Sequence, residues 1–223
     1  MELSDKTARQ LYEDVKANPA RAKFGFGKKA ALINIDVQKA YTRHDLYRSA
    51  YETNPNQIQY INQVSALMRG LGWPVIWTYC AYMESAEDCG VWGTRTNTPD
   101  SLQNIKFGSD RAKLDERAEV DYVKDIVLNK KMASPFHGTN VNALLTFHKV
   151  DTVLVTGGST SGCVRACGID SLSNGYRTTI IEECVADKHE SPHFANLMDL
   201  ALKYTDVESV DAVKAWLKSQ AKN

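Results

Sequence analysis

The chain has 223 residues, a length that suits one α/β domain or two small ones and buries roughly 70% of the unfolded surface without staples. Its 27 basic residues balance 27 acidic ones, so the formal net charge is zero, which argues against nucleic acid and anionic membranes as partners. No apolar run nears the ~18 residues of a membrane span. Five cysteines (Cys80, Cys89, Cys163, Cys167 and Cys184) in a sequence without a visible leader predict free thiols in a cytoplasmic protein.

In chain order, Ser4 to Ala20 reads as a surface helix with Leu11, Tyr12 and Val15 on one face, Ser4 and Asp5 as caps and Pro19 as its stop. This gives an N-terminal helical arm over residues 1–27, followed by one domain over 28–223. Ala30 to Ile35 is a short apolar run ending in Asp36, the pattern of a buried parallel strand. Ile58, Ile61, Val64, Leu67, Met68 and Leu71 follow helical spacing up to Gly72, and Val75 to Tyr79 makes a second strand. From Ala81 to Val120 periodicity is lost, as in a functional cover or partner-contact segment. Asp125 to Lys130 predicts a third strand, Val141 to Phe147 a helix, and Thr152 to Thr156 a fourth strand. Gly157 to Cys163 then forms a turn that opens a helix through Asn174, closed by Gly175. Thr178 to Glu182 is a fifth strand, Phe194 to Lys203 a helix, and Asp206-Val207 a short sixth strand. Val210, Val213 and Leu217 mark the last helix. Strand–helix alternation at this spacing predicts a single α/β domain with a parallel sheet.

Active sites of open parallel sheets lie beyond the carboxyl ends of the strands. Asp36, Lys130 and Cys163 fall there. A cysteine opening a helix gains from the partial positive charge of the helix start and is a strong nucleophile toward carbonyl carbon. A nearby carboxylate can carry its proton to a leaving amine, and a cation damps the repulsion between the two anions. The Gly157-Gly158 turn offers N–H groups to an oxyanion or equally to a phosphate, so the residues alone leave a cysteine hydrolase and a nucleotide-binding domain both open. Cys167 reads as packing, and Cys80, Cys89 and Cys184 as core or loop thiols. His189 and His193 are four apart, but Ser191-Pro192 marks a helix start between them, which argues against a shared metal-binding face. Trp92 is a candidate for the pocket or an interface.

Four blocks in register carry a resemblance: Leu32-Ile33-Asn34-Ile35-Asp36-Val37-Gln38-Lys39-Ala40-Tyr41, Lys130 to Thr139, Val155 to Arg165, and Asp206 to Ser209. With them the chain resembles the isochorismatase-like superfamily of cysteine hydrolases, and most its N-carbamoylsarcosine amidase branch. The resemblance implies a three-layer α/β/α fold around six parallel strands, and homo-oligomers, dimeric or tetrameric, with loops closing a neighbour's site. It further implies catalysis by Asp36, Lys130 and Cys163, and a cis Gly158–Ser159 bond that aims the Ser159 and Cys163 amides at the oxyanion. The activity it implies is hydrolysis of a terminal carbamoyl or amide C–N bond in a small linear substrate. A thioester forms on Cys163 and ammonia is released. Maleamate-type amide cleavage and a non-catalytic binding role stand as alternatives. Where that branch places an arginine for the substrate carboxylate, this sequence has Lys188, a cation without the bidentate fork. Gln38, Thr160 and Trp92 join Lys188 as substrate-binding candidates. The nicotinamidase branch has Asp-x-His-x-His after its second strand; this chain has Tyr79-Cys80-Ala81-Tyr82, so no metal and no other cofactor is expected.

Overall fold

A computed structural model describes residues 3–19 and 21–221. Six strands, β1 (Ala30–Ile35), β2 (Val75–Tyr79), β3 (Ile126–Asn129), β4 (Thr152–Gly158), β5 (Arg177–Ala186) and β6 (Asp206–Glu208), form one sheet in the order β3-β2-β1-β4-β5-β6. Every neighbouring pair is parallel. The helices are α1 (Ala8–Ala17), α2 (Lys39–Thr42), α3 (Gln57–Gly70), α4 (Val141–Phe147), α5 (Arg165–Ser173), α6 (Glu190–Lys203) and α7 (Val210–Gln220).

Strand β1 shows why the layers form. Its side chains alternate between faces: Ala31, Ile33 and Ile35 join Leu145, Val153, Cys167, Leu197 and Leu200 on the side of α4, α5 and α6. Ala30 and Leu32 join Ile61, Val64, Met68, Val213 and Leu217 on the side of α3 and α7. Both faces are covered, which is why the strand is a continuous apolar run rather than an alternating one. Chain order reverses direction across the β1–β4 pair, so a crevice opens beyond the carboxyl ends of those two strands.

Several boundaries differ from the sequence reading. Helix α1 starts at Ala8 because Thr7, not Ser4 or Asp5, caps it in a box with Gln10; its expected end at Ala20 lies outside the described residues. The helix packs on α6 of the same chain, with Tyr12 fully buried against Phe194. Strand β5 runs on to Ala186, and its pairing with β4 shifts between Val155 and Gly157. The Gln57 amide donates to the carbonyls of Gly157 (3.0 Å) and Cys184 (3.1 Å) beside this irregularity. Helix α6 begins at Glu190, so Ser191-Pro192 lies in its first turn and His189 is the capping residue.

The segment from Ala81 to Val120 holds three short 3-10 turns, at Glu87–Thr94, Leu102–Asn104 and Asp110–Ala112. It folds back over the carboxyl edge of its own sheet. The Lys39 and Asp115 amides bond across to Lys113 and Val37, and Tyr82 bridges to Lys106.

Candidate active site

Asp36 leaves β1 with φ +50°, a left-handed conformation that a short polar side chain tolerates and that clusters at functional positions. Its carboxylate is almost fully buried. The Thr78 hydroxyl fixes it, accepting from the Asp36 amide at 3.1 Å and donating to Oδ1 at 2.8 Å. Lys130 leaves β3 and is fully buried, with its Nζ 2.7 Å from Asp36 Oδ2 and 3.3 Å from Cys163 Sγ. Burial alone would lower the lysine pKa. Asp36, Cys163 and Cys80 overcome this and hold it well above the ordinary range, so the ammonium is charged.

Cys163 lies in a wide π-type turn, Thr160–Val164, that leads into α5. Its thiol sits among these packed groups, although the residue keeps some exposure. Burial pushes the thiol up to about 11; Lys130 pulls it back and Asp36 adds to the rise. Burial therefore opposes the thiolate expected at a helix start and favours the thiol form of Cys163.

Cys80 is a core thiol, as the sequence suggests, and it also reaches the cluster. It is fully buried at the end of β2, 3.2 Å from Lys130 Nζ and 3.7 Å from Asp36 Oδ2. Gln38 brackets it: Oε1 accepts from the Cys80 amide at 2.6 Å, and Nε2 donates to the Cys80 carbonyl at 3.1 Å and to that of Arg111 at 3.0 Å. The Gln38 amide is thus committed to backbone, and the expectation that it binds substrate is replaced by a positioning role.

Two tyrosines not among the expected site residues stand over the cluster. Tyr41 and Tyr51 stack with ring centroids 6.1 Å apart, and the Tyr51 amide donates to the Tyr41 carbonyl. Burial holds both phenols well above their usual pKa, and the Asp36 carboxylate adds to the rise. Neither hydroxyl is hydrogen-bonded within the described residues, and both residues line a small cavity, about 10 Å3, with Asp36, Gly157 and Gly158. Gly158 has no room for a side chain, because a Cβ there would collide with the Tyr51 hydroxyl. Gly157, at φ +96°, would drive a Cβ into the Ile35 carbonyl.

The peptide bond between Gly158 and Ser159 is cis. The turn that follows is tied to β5 and α6. The Ser161 amide donates to Asp187 Oδ2 at 2.7 Å, and the buried Thr160 hydroxyl meets His193 Nδ1 at 2.9 Å. Thr160 is therefore engaged inward, with a histidine whose pKa burial lowers. Lys188 is exposed and its ammonium rests on the Arg48 carbonyl, at the rim rather than against the thiol. Trp92 is half-buried behind Cys80, packed with Tyr82 and Cys89. Roomier cavities, about 270 and 450 Å3, lie along α1 with β6 and along α3, and none of Asp36, Lys130 and Cys163 lines them. Within the described residues, no three His, Cys, Asp or Glu side chains are grouped to hold a metal ion.

Residues 30–212 match the isochorismatase domain. The chain belongs to the isochorismatase family. It is 35% identical over 210 residues to maleamate amidohydrolase of Pseudomonas putida, covering 92% of this chain and 93% of that one. It is 32% identical over 205 residues to N-carbamoylsarcosine amidase of an Arthrobacter species, covering 88% and 74%. Among solved structures, a cysteine hydrolase from Pseudomonas syringae pv. phaseolicola 1448A shares the fold with a TM-score of 0.81 at 16% identity, over 90% of this chain and 99% of that one.

Proposed function

We propose that this chain is a cysteine amidohydrolase that cleaves the terminal C–N bond of a small linear amide or ureido acid and releases ammonia. The observation that carries the reading is the buried Lys130 ammonium, which touches the Asp36 carboxylate and the Cys163 sulfur at once. The amidases at 35% and 32% identity support the reaction class.

In the first half-reaction Asp36 takes the Cys163 proton as the sulfur attacks the carbonyl carbon. The Ser159 and Cys163 amides receive the oxyanion. Lys130 keeps its charge throughout and offsets whichever anion is present, the carboxylate before transfer or the thiolate during it. Asp36 then returns the proton to the leaving nitrogen, ammonia departs, and a thioester remains on Cys163. In the second half, Asp36 takes a proton from water, whose oxygen displaces the sulfur and regenerates the thiol. With an amide the product is a carboxylic acid; with a ureido acid it is a carbamate that breaks down to carbon dioxide and the amine.

The Tyr41 and Tyr51 hydroxyls, unbonded within the described residues and beside Asp36, are free to donate to the polar atoms of a short substrate. Lys188 and Arg48 carry no carboxylate partner within the described residues and give the rim a positive charge that fits a substrate carboxylate. The test is ammonia release from maleamate, N-carbamoyl amino acids, nicotinamide and ureidoacrylate. Turnover of maleamate or of one ureido acid supports the reading, and silence on every linear amide contradicts it. Exposed Met83, Val91 and Phe107 on the Ala81–Val120 segment favour a homo-oligomer, so light scattering is expected to return at least twice the chain mass and a monomer would contradict it.

A further inference from the structure

The Lys130 ammonium has three N–H groups and four neighbours within reach: Asp36 Oδ2 at 2.7 Å, Cys80 Sγ at 3.2 Å, the Met132 carbonyl at 3.2 Å and Cys163 Sγ at 3.3 Å. The carboxylate and the carbonyl are the stronger acceptors. The remaining N–H is contested by two sulfurs at nearly equal distance. We propose that Cys80 is a positioning residue that holds this N–H in the resting site and so keeps Cys163 protonated until substrate arrives, an inference that rests on Cys163 being the nucleophile.

The placement of Cys80 is built. Gln38 fixes its backbone from both sides, which holds the point from which the sulfur reaches Lys130. Its own thiol is the harder of the two to ionise, since complete burial comes first and Asp36 adds to it. Cys80 is therefore a neutral, weak acceptor. A thiolate is a much stronger one, because its full negative charge meets the ammonium at close range where the neutral thiol offers only a weak dipole. When Asp36 removes the Cys163 proton, the contested N–H moves to Cys163 and Cys80 loses it. That loss opposes thiolate formation at rest, where no carbonyl stands ready to consume the thiolate, and so spares the nucleophile from stray electrophiles and oxidants.

The other titratable groups around Cys163 are Asp36 at the end of β1, Tyr41 on α2, Tyr51 before α3, Cys167 and Asp170 on α5, and Asp187 after β5. Asp36 shares the ammonium but not the role, for it is the group that receives the proton. The remaining five make no hydrogen bond to the Lys130 ammonium.

The test is the pH dependence of iodoacetamide labelling at Cys163 in the full chain, read on the Cys163 peptide by mass spectrometry. Cys80→Ala and Cys80→Val both remove the competing acceptor, and Val fills the space that Ala leaves open. Cys80→Ser keeps an acceptor. Labelling at pH 8 is expected to rise about threefold in the Ala and Val variants, a shift of roughly half a pH unit toward acid. The Ser variant should follow the parent protein. Ala and Val profiles that superimpose on the parent, or a Ser profile that moves with them, would overturn the inference. Thermal melts identify any variant that has not folded, and either the Ala or the Val variant suffices. Ammonia release by the parent from maleamate and N-carbamoylsarcosine is measured alongside. Silence there would remove the amidase reading, while the labelling profiles would still decide the role of Cys80.

Discussion

Lys130 bears on stability as much as on chemistry. A buried ion pair adds little over apolar packing, but removing one partner strands the other as an uncompensated buried charge. Lys130→Met should therefore lower unfolding free energy by about 3 kcal/mol or more and abolish turnover together, measured by urea denaturation and ammonia release. An unchanged midpoint would contradict the pairing with Asp36. Tyr51→Phe is expected to behave in the opposite way. The hydroxyl bonds to nothing within the described residues, so stability should hold within about 0.5 kcal/mol. KM should rise roughly fivefold as one hydrogen bond to substrate is lost, with a smaller change in kcat; an unchanged KM would remove Tyr51 from the binding surface. Asp36, Lys130 and Cys163 were legible in sequence because each follows the carboxyl end of a strand. Cys80 obeys the same rule after β2 and was passed over because a buried thiol is commonplace. Tyr41 and Tyr51 lie on a stretch whose only regular element is the single turn of α2, so no periodicity marked them. Gln38 has the right chemistry to bind a ligand, but its partners come from Cys80 and Arg111, which sequence spacing does not bring near.

At the scale of elements, the strands and long helices were readable from apolar runs and helical spacing. What escaped was set by contacts distant in sequence. Strand β5 outruns its apolar stretch because its pairing with β4 shifts, and the Gln57 amide bonds carbonyls on both strands. The helix carrying Cys163 starts with a wide turn, because the Ser161 amide is held by Asp187 and the Thr160 hydroxyl by His193. The sulfur lies 3.3 Å from Lys130 Nζ, and burial is the largest influence on its ionisation. The Ala81–Val120 segment gave no pattern because its order comes from bridges to Val37, Lys39 and the Tyr82–Lys106 pair, all tertiary contacts.

For the whole molecule, the buried thiols and phenols dictate an alkaline limit. Burial raises the pKa of Cys80, Cys163, Cys167 and Cys184, as it does for Tyr41 and Tyr51, and its partners raise that of Lys130. A raised folded pKa means that the unfolded chain releases its proton first. The resulting stability is complete below the unfolded thiol value of 9.0 and is lost as pH climbs through the folded value, about 11 for Cys163. Urea midpoints should therefore fall steadily from pH 9 to pH 11, and a flat profile would contradict the burial of these groups. The sheet order matters at the same scale. It brings β1, β2, β3 and β4 to one edge, where Asp36, Cys80, Lys130 and Cys163 meet although the first and last are far apart in sequence.

The most direct measurement is turnover by Cys163→Ala on the best substrate of the ammonia-release panel, with a thermal melt of the same preparation. The nucleophile keeps some exposure and Ala removes only its sulfur, which within the described residues meets Lys130 and Asp36, so the melt should stay close to that of the parent. Ammonia release should fall by at least about 10³-fold, as expected when a covalent step loses its attacking atom. A folded Cys163→Ala protein that still releases ammonia at a comparable rate would contradict the mechanism at its centre.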